Sequence, residues 1–172
     1  MSYTRLTIPV KLFIINELNA LCALQMQAKN EICGLEMKAT KKKAHSAVNI
    51  RVPYADTDQM GMVYYANYFI YFERGRTEWL RSKGMEYRSL EEKGLYLPVV
   101  EAYCRFRSPA KYDDLITVAT KVAEVGPCSL EFLYEITRKG RLLAEGKTKH
   151  PFVDRGMKPV RIPGEILRIM EK

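Results

Sequence analysis

Residues 54–68 read Tyr54-Ala-Asp56-Thr-Asp58-Gln-Met-Gly61-Met-Val63-Tyr64-Tyr65-Ala-Asn67-Tyr68: two carboxylates one residue apart, a lone glycine, then a string of aromatics. What flanks this stretch decides the architecture. Before it, Val48, Ile50, Val52 and Tyr54 alternate with Asn49, Arg51 and Pro53, the period of two that marks a half-buried strand. After it, the spacing predicts a helix over 67–83, closed by Gly84, a residue that tolerates the left-handed conformation at a helix C-terminus. Phe69, Ile70, Phe72, Trp79 and Leu80, with Tyr68 and Tyr71, cover most of the helix circumference, so the helix is expected to be largely buried and wrapped by a sheet. Gly75 in its middle lowers helix propensity by about 1 kcal/mol relative to alanine, which implies that something packs closely against it.

Four more extended stretches follow, at 97–107, 115–125, 128–138 and 141–153. Gly126-Pro127 and Lys139-Gly140 separate the last three, and such short turn-forming breaks predict an antiparallel meander. Strand, helix, then four strands gives an α+β domain over 47–172, in which one long helix lies across a curved antiparallel sheet whose free edge invites a second copy. Residues 1–46 have a different texture. Leu12, Ile15, Leu18, Leu21, Cys22 and Leu24 suit a short amphipathic helix over 10–27, and Lys41 to Lys43 read as a solvated linker. Asn16, Glu17 and Asn19 break the apolar run, which argues against a secretory signal. The expectation for 1–46 is a partly helical or flexible extension.

A chain of 172 residues has room for one ordinary domain and that appendage, and 47% hydrophobic with 28% charged residues is a globular composition. No apolar run approaches the roughly 18 to 20 residues of a membrane span. The net charge of +8 raises a nucleic-acid reading, but outside Lys41 to Lys43 the basic residues alternate with acidic ones, which favours a small polyanionic ligand, or mere solubility, over a duplex. The four cysteines, Cys22, Cys33, Cys104 and Cys128, lack CxxC spacing, and His45 and His150 are the two histidines. No zinc ligand set assembles from these residues. Reduced thiols, a cytoplasmic location and no metal are expected.

The quoted loop can do chemistry. Gly61 lets the backbone turn sharply, and Met62 to Tyr65 lead into a first helical turn whose N–H groups have no partner within the helix. Those N–H groups and the positive end of the helix dipole suit a developing oxyanion. Asp58 lies on the strand side of the same turn, so a carboxylate and an amide-lined oxyanion site are brought together, the minimum equipment for opening an acyl bond. Asp56 fits a structural role better, accepting N–H groups within the loop as aspartate does in turns.

The run YADTDQMGMVYYANYFIYFERGRTEWLRSKG over 54–84 resembles the signature of the hotdog-fold acyl-CoA thioesterases of the 4-hydroxybenzoyl-CoA thioesterase type, above all the Tol-Pal-associated branch. Pro109-Ala-Lys-Tyr-Asp-Asp114 and Lys158-Pro-Val-Arg-Ile-Pro163 look like that branch too. The resemblance spans about 47–163. It implies a hotdog fold with a five-stranded sheet, a homodimer or homotetramer with active sites at subunit interfaces, acyl-CoA as substrate, and no metal or redox cofactor. It also implies that Asp58 is the catalytic carboxylate, as nucleophile or general base, and that the backbone N–H of Tyr65 is the oxyanion donor.

Gly61, Val63, Tyr64, Tyr68 and Glu73 are the expected substrate-site residues, with Phe72 near enough in sequence to line it. Another hotdog branch uses a helix glutamate, for which a buried Glu73 would serve as general base; a local pairing with Arg76 or Thr77 is the simpler account. Two departures stand out. Many relatives carry histidine at the position of Tyr65, and the bend Gly126-Pro127-Cys128 lacks the cations that some relatives use for CoA phosphates. Arg105, Arg107, Lys111, Arg155, Lys158 and Arg161 are the remaining candidates. Hydratases of the same fold lean on a histidine base, which the helix-start motif lacks, and a non-catalytic acyl-CoA sensor would have no use for Asp58.

Overall fold

The computed structural model describes residues 45–170. The expected helix over 10–27, the lysine run and the first two cysteines lie outside them. Strands β1 (His45–Arg51), β2 (Glu101–Phe106), β3 (Leu115–Val125), β4 (Ser129–Arg138) and β5 (Arg141–Pro151) form one sheet in the order β1-β3-β4-β5-β2. Every pairing is antiparallel. Helix α1 (Asn67–Ser82) lies against the inner face, and α2 (Tyr87–Glu92) and α3 (Gly164–Met170) are short additions that the sequence pattern did not announce.

The local rules explain the boundaries. β1 stops at Arg51 rather than running to Tyr54, because Pro53 has no N–H to donate and Tyr54–Asp56 coil into a 3-10 turn. The β4–β5 hairpin turns on Lys139 and Gly140, both at positive φ (48° and 77°), as a two-residue type I′ turn requires. Gly84 ends α1 at φ 74°, and Met85 N–H donates to Leu80 O, the six-to-one bond of a Schellman stop.

Helix α1 buries one face, Tyr68, Tyr71, Phe72, Gly75, Trp79 and Leu80. Ile70 is exposed, so in the protomer the sheet covers a stripe rather than most of the circumference. Phe72 stacks on Tyr134 with centroids 4.3 Å apart, and Trp79 meets Phe132 edge-on. The close contact expected at Gly75 is with β3: a Cβ there would stand 2.5 Å from Thr120 Oγ1 and 3.0 Å from Val118 Cγ1. The helix runs from the Arg51/Leu115 end of the sheet toward the end that carries Ser129 and Pro151.

Candidate active site

The two aspartates occupy a tight loop between β1 and α1. Thr57 and Val63 pair across it, Asp58 N–H donates to Met62 O (2.8 Å), and Gly61 N–H donates to Asp58 O (2.9 Å). Gly61 sits at φ 69°, where a side chain would be strained. Asp58 Oδ1 accepts the N–H of Met60 at 2.9 Å and of Met62 at 3.4 Å, the usual way an aspartate locks its own turn. Among the described residues no hydrogen bond reaches its other oxygen, Oδ2, and the residue is half-buried.

The loop is fastened to the body on its far side. Val63 is buried and its N–H donates to Ala110 O; Met62 bridges to Lys111. The Lys111 segment is itself held by Asp114, whose Oδ2 accepts Lys111 N–H (2.8 Å) and the Arg138 guanidinium. Arg51 and Asp113 pair beside it.

At the helix start, Asn67 N–H donates to Tyr64 O and Tyr68 N–H to Tyr65 O, whereas Tyr64 N–H is taken by Asp56 O at 2.8 Å. The amides of Tyr65 and Ala66 meet no acceptor among the described residues. Ala66 supplies no side-chain cap, and the first turn of α1 holds no acidic residue. Two N–H donors and the positive end of a 16-residue helix therefore remain open.

The expected site residues separate into three groups. Asp58, Gly61, Tyr64 and Tyr65 share the loop and helix start; Tyr64 and Tyr65 are exposed, with ring centroids 4.5 Å apart. Val63 and Tyr68 are core residues: Tyr68 is 3% exposed and its hydroxyl accepts Ala110 N–H. Phe72 is likewise fully buried. Glu73 stands apart from both. It is exposed in the protomer, on a groove of about 390 Å³ lined by Val48 to Arg51, Glu73, Arg74, Thr77 and Glu78, so the protomer itself does not supply the burial expected of a helix-borne base. The ion pair on this helix joins Glu78 and Arg81, not Glu73 and Arg76.

Asp56 has the structural role expected, through a different bond. Its carboxylate accepts the hydroxyl of Tyr71 (Oη to Oδ2, 2.7 Å), and its carbonyl accepts Asn67 Nδ2 at 2.9 Å. Neither partner stood out in the sequence. Both are polar residues one turn apart on the helix, which was the available signal.

Of the phosphate candidates, Arg107 is engaged by Glu145. Arg155, Lys158 and Arg161 follow β5 at the sheet end away from Asp58, which leaves Arg105 and Lys111 at the near end. His150 is fully buried at the far end, its ring bonded to Leu97 O and Thr148 Oγ1. Burial and the nearby Arg76 charge press its pKa down to about 4. No helix among the described residues is long and apolar enough to cross a membrane, and no cluster of metal-ligating residues occurs among them.

Comparison with known proteins fixes the family and the fold. Residues 52–170 match the family model described as the thioesterase-like superfamily. The chain is 40% identical over 119 residues to acyl-CoA thioesterase YbgC of Haemophilus influenzae, covering 68% of this chain and 88% of that one. It is 37% identical over 121 residues to a protein of Aquifex aeolicus named as a putative esterase, covering 70% and 94%. A crystal structure of a hypothetical protein from Thermus thermophilus superposes with a TM-score of 0.71 at 38% identity, over 74% of this chain and 95% of that one. By matched sequence and by superposed structure, the chain belongs to the thioesterase-like superfamily and has its hotdog fold.

Proposed function

We propose that the chain hydrolyses acyl-CoA thioesters, with Asp58 as the attacking or water-activating carboxylate and the Tyr65 amide, joined by that of Ala66, as the oxyanion site. One observation carries this: a half-buried carboxylate with one oxygen locked by Met60 and Met62 and the other unbonded, on the loop that leads into two unpartnered amides at an uncapped helix start. Tyr64 N–H already has an acceptor, so it is excluded as a donor to the substrate.

The thioester carbonyl oxygen lies against the open amides, which stabilise the negative charge as the carbon becomes tetrahedral. Asp58 Oδ2 either attacks that carbon, giving an acyl anhydride that water later opens, or takes the proton of a water that attacks. In both routes the C–S bond breaks with its electron pair on sulfur. A thiol is far more acidic than an alcohol or amine leaving group, the cysteine side chain titrating at about 8.5, so the thiolate leaves without prior protonation and the site needs no histidine acid. The products are the free acid and CoA. Lys111, next to Met62 in the backbone pairing, and Arg105, at the same end of the sheet, are the cations we assign to the CoA phosphates. Strand β2 ends the sheet with exposed Tyr103 and Phe106, an edge suited to pairing with a second copy in a homo-oligomer.

Thiol release from short aliphatic to aromatic acyl-CoAs, comparing the wild-type chain with Asp58→Asn, tests the assignment. Asparagine keeps an oxygen for Met60 N–H, so the loop persists while turnover should fall about a hundredfold or more. Equal rates for the two proteins would refute the role of Asp58. Tight acyl-CoA binding by a wild-type chain that releases no thiol would replace hydrolysis with the non-catalytic binding function.

A further inference from the structure

Asp56 is where the acid loop and the oxyanion helix are tied together. Its carbonyl accepts Tyr64 N–H (2.8 Å) and Asn67 Nδ2 (2.9 Å), and its carboxylate accepts the Tyr71 hydroxyl (2.7 Å). Asn67 and Tyr71 are four residues apart, hence on one face of α1, and together they grip a residue two positions before Asp58. Tyr71 is fully buried, with its ring against Tyr68. A phenylalanine would fill that space equally well, so the hydroxyl is not there for packing; its bond to a carboxylate is of the stronger, charge-assisted kind. Burial, and then the Asp56 carboxylate, push the Tyr71 phenol up from its ordinary value, which keeps it a proton donor across the working range.

We propose that Tyr71 is a positioning residue for thioester hydrolysis: through Asp56 it sets the Asp58 carboxylate and the open amides of Tyr65 and Ala66 at the separation the reaction needs. This rests on the hydrolase reading above. A purely structural hydroxyl would affect melting and leave the turnover of folded protein unchanged. A positioning hydroxyl acts on the transition state, where a displacement of about 1 Å costs as much as a hundredfold, so it lowers kcat and kcat/KM together.

The test measures steady-state acyl-CoA hydrolysis and thermal melting for the wild-type chain, Tyr71→Phe, Asp56→Ala, the double variant and Tyr134→Phe. Tyr134 also loses a buried hydroxyl bond, 2.6 Å to Thr148, but outside the loop and the helix start. We expect Tyr71→Phe to lower kcat by about 10- to 100-fold with KM unchanged, Asp56→Ala to do the same, and the double variant to be no slower than the slower single one. Tyr134→Phe should melt earlier and keep its kcat. Wild-type turnover in Tyr71→Phe, or losses that multiply in the double variant, would overturn the inference while the hydrolase reading stands. If Tyr71→Phe does not fold, Asp56→Ala with wild-type turnover overturns it equally. A wild-type chain that releases no thiol removes both.

Discussion

Replacing Gly75 by alanine sets two known effects against each other. Alanine is worth about 1 kcal/mol over glycine in a helix interior, so on an open helix the change would stabilise. Here the new Cβ would stand 2.5 Å from Thr120 Oγ1 and 3.0 Å from Val118 Cγ1, separations that packed side chains do not sustain. Thr120 and Val118 are 1% and 0% exposed on β3, which is paired on both sides, so the strand has nowhere to retreat. Rotating Thr120 breaks no hydrogen bond, since its hydroxyl is buried without a partner, but one alternative rotamer swings the methyl group into the same space and the other forces both methyl and hydroxyl into new positions in a packed core. Overpacking of this kind costs about 1 to 3 kcal/mol; set against the helix gain of about 1 kcal/mol, it leaves a net loss of up to about 2 kcal/mol, a fall in Tm of up to about 8 °C. With Thr120→Ala as background the nearest atom is gone and only Val118 must give by tenths of an ångström; Gly75→Ala should then be neutral or stabilising. Urea unfolding of the four proteins in a double-mutant cycle measures the coupling. Additive effects, or a Gly75→Ala single variant more stable than wild type, would refute the packing argument.

His150 predicts an acid weakness. Its folded pKa is depressed to about 4 from 6.5, so the unfolded chain binds a proton first as pH falls; stability is complete above 6.5 and is lost between 6.5 and about 4. At about 1.4 kcal/mol per pH unit the interval amounts to about 3 kcal/mol for a residue that is 0% exposed. Urea midpoints measured across that window should drop for the wild-type chain and stay flatter for His150→Gln, and parallel curves would exclude His150 as the cause. Gly146→Ala should be worse tolerated than Gly75→Ala, because a Cβ there meets the Phe72 ring at 2.5 Å and the Tyr103 carbonyl at 2.6 Å, the second a backbone atom that cannot rotate aside; soluble protein with a wild-type Tm would contradict this.

Much of the architecture was legible locally. The period-two runs, the Lys139-Gly140 hairpin and the Gly84 stop depend on neighbours within a few residues, and α1 begins at Asn67 as expected and ends at Ser82. The short helices were not, because a six- or seven-residue segment carries too little periodicity to stand out. That Asp58 stands on the loop leading into α1 was also legible, since loop and helix start are contiguous in the chain.

What order along the chain could not decide was the partner of each side chain. Asp56 meets a tyrosine 15 residues away, Gly75 meets β3, Glu73 faces outward, and three of the candidate cations lie at the end of the sheet away from Asp58. Those outcomes follow from the strand register and from the rotation of α1 about its axis, which are set by burying Phe72, Trp79 and their neighbours all at once. The sequence by itself determined where the chain extends, coils and turns, because backbone sterics and hydrogen bonding act at short range. Tertiary structure alone decided which polar groups come together, because packing a common core is a condition on all the elements and on no single stretch.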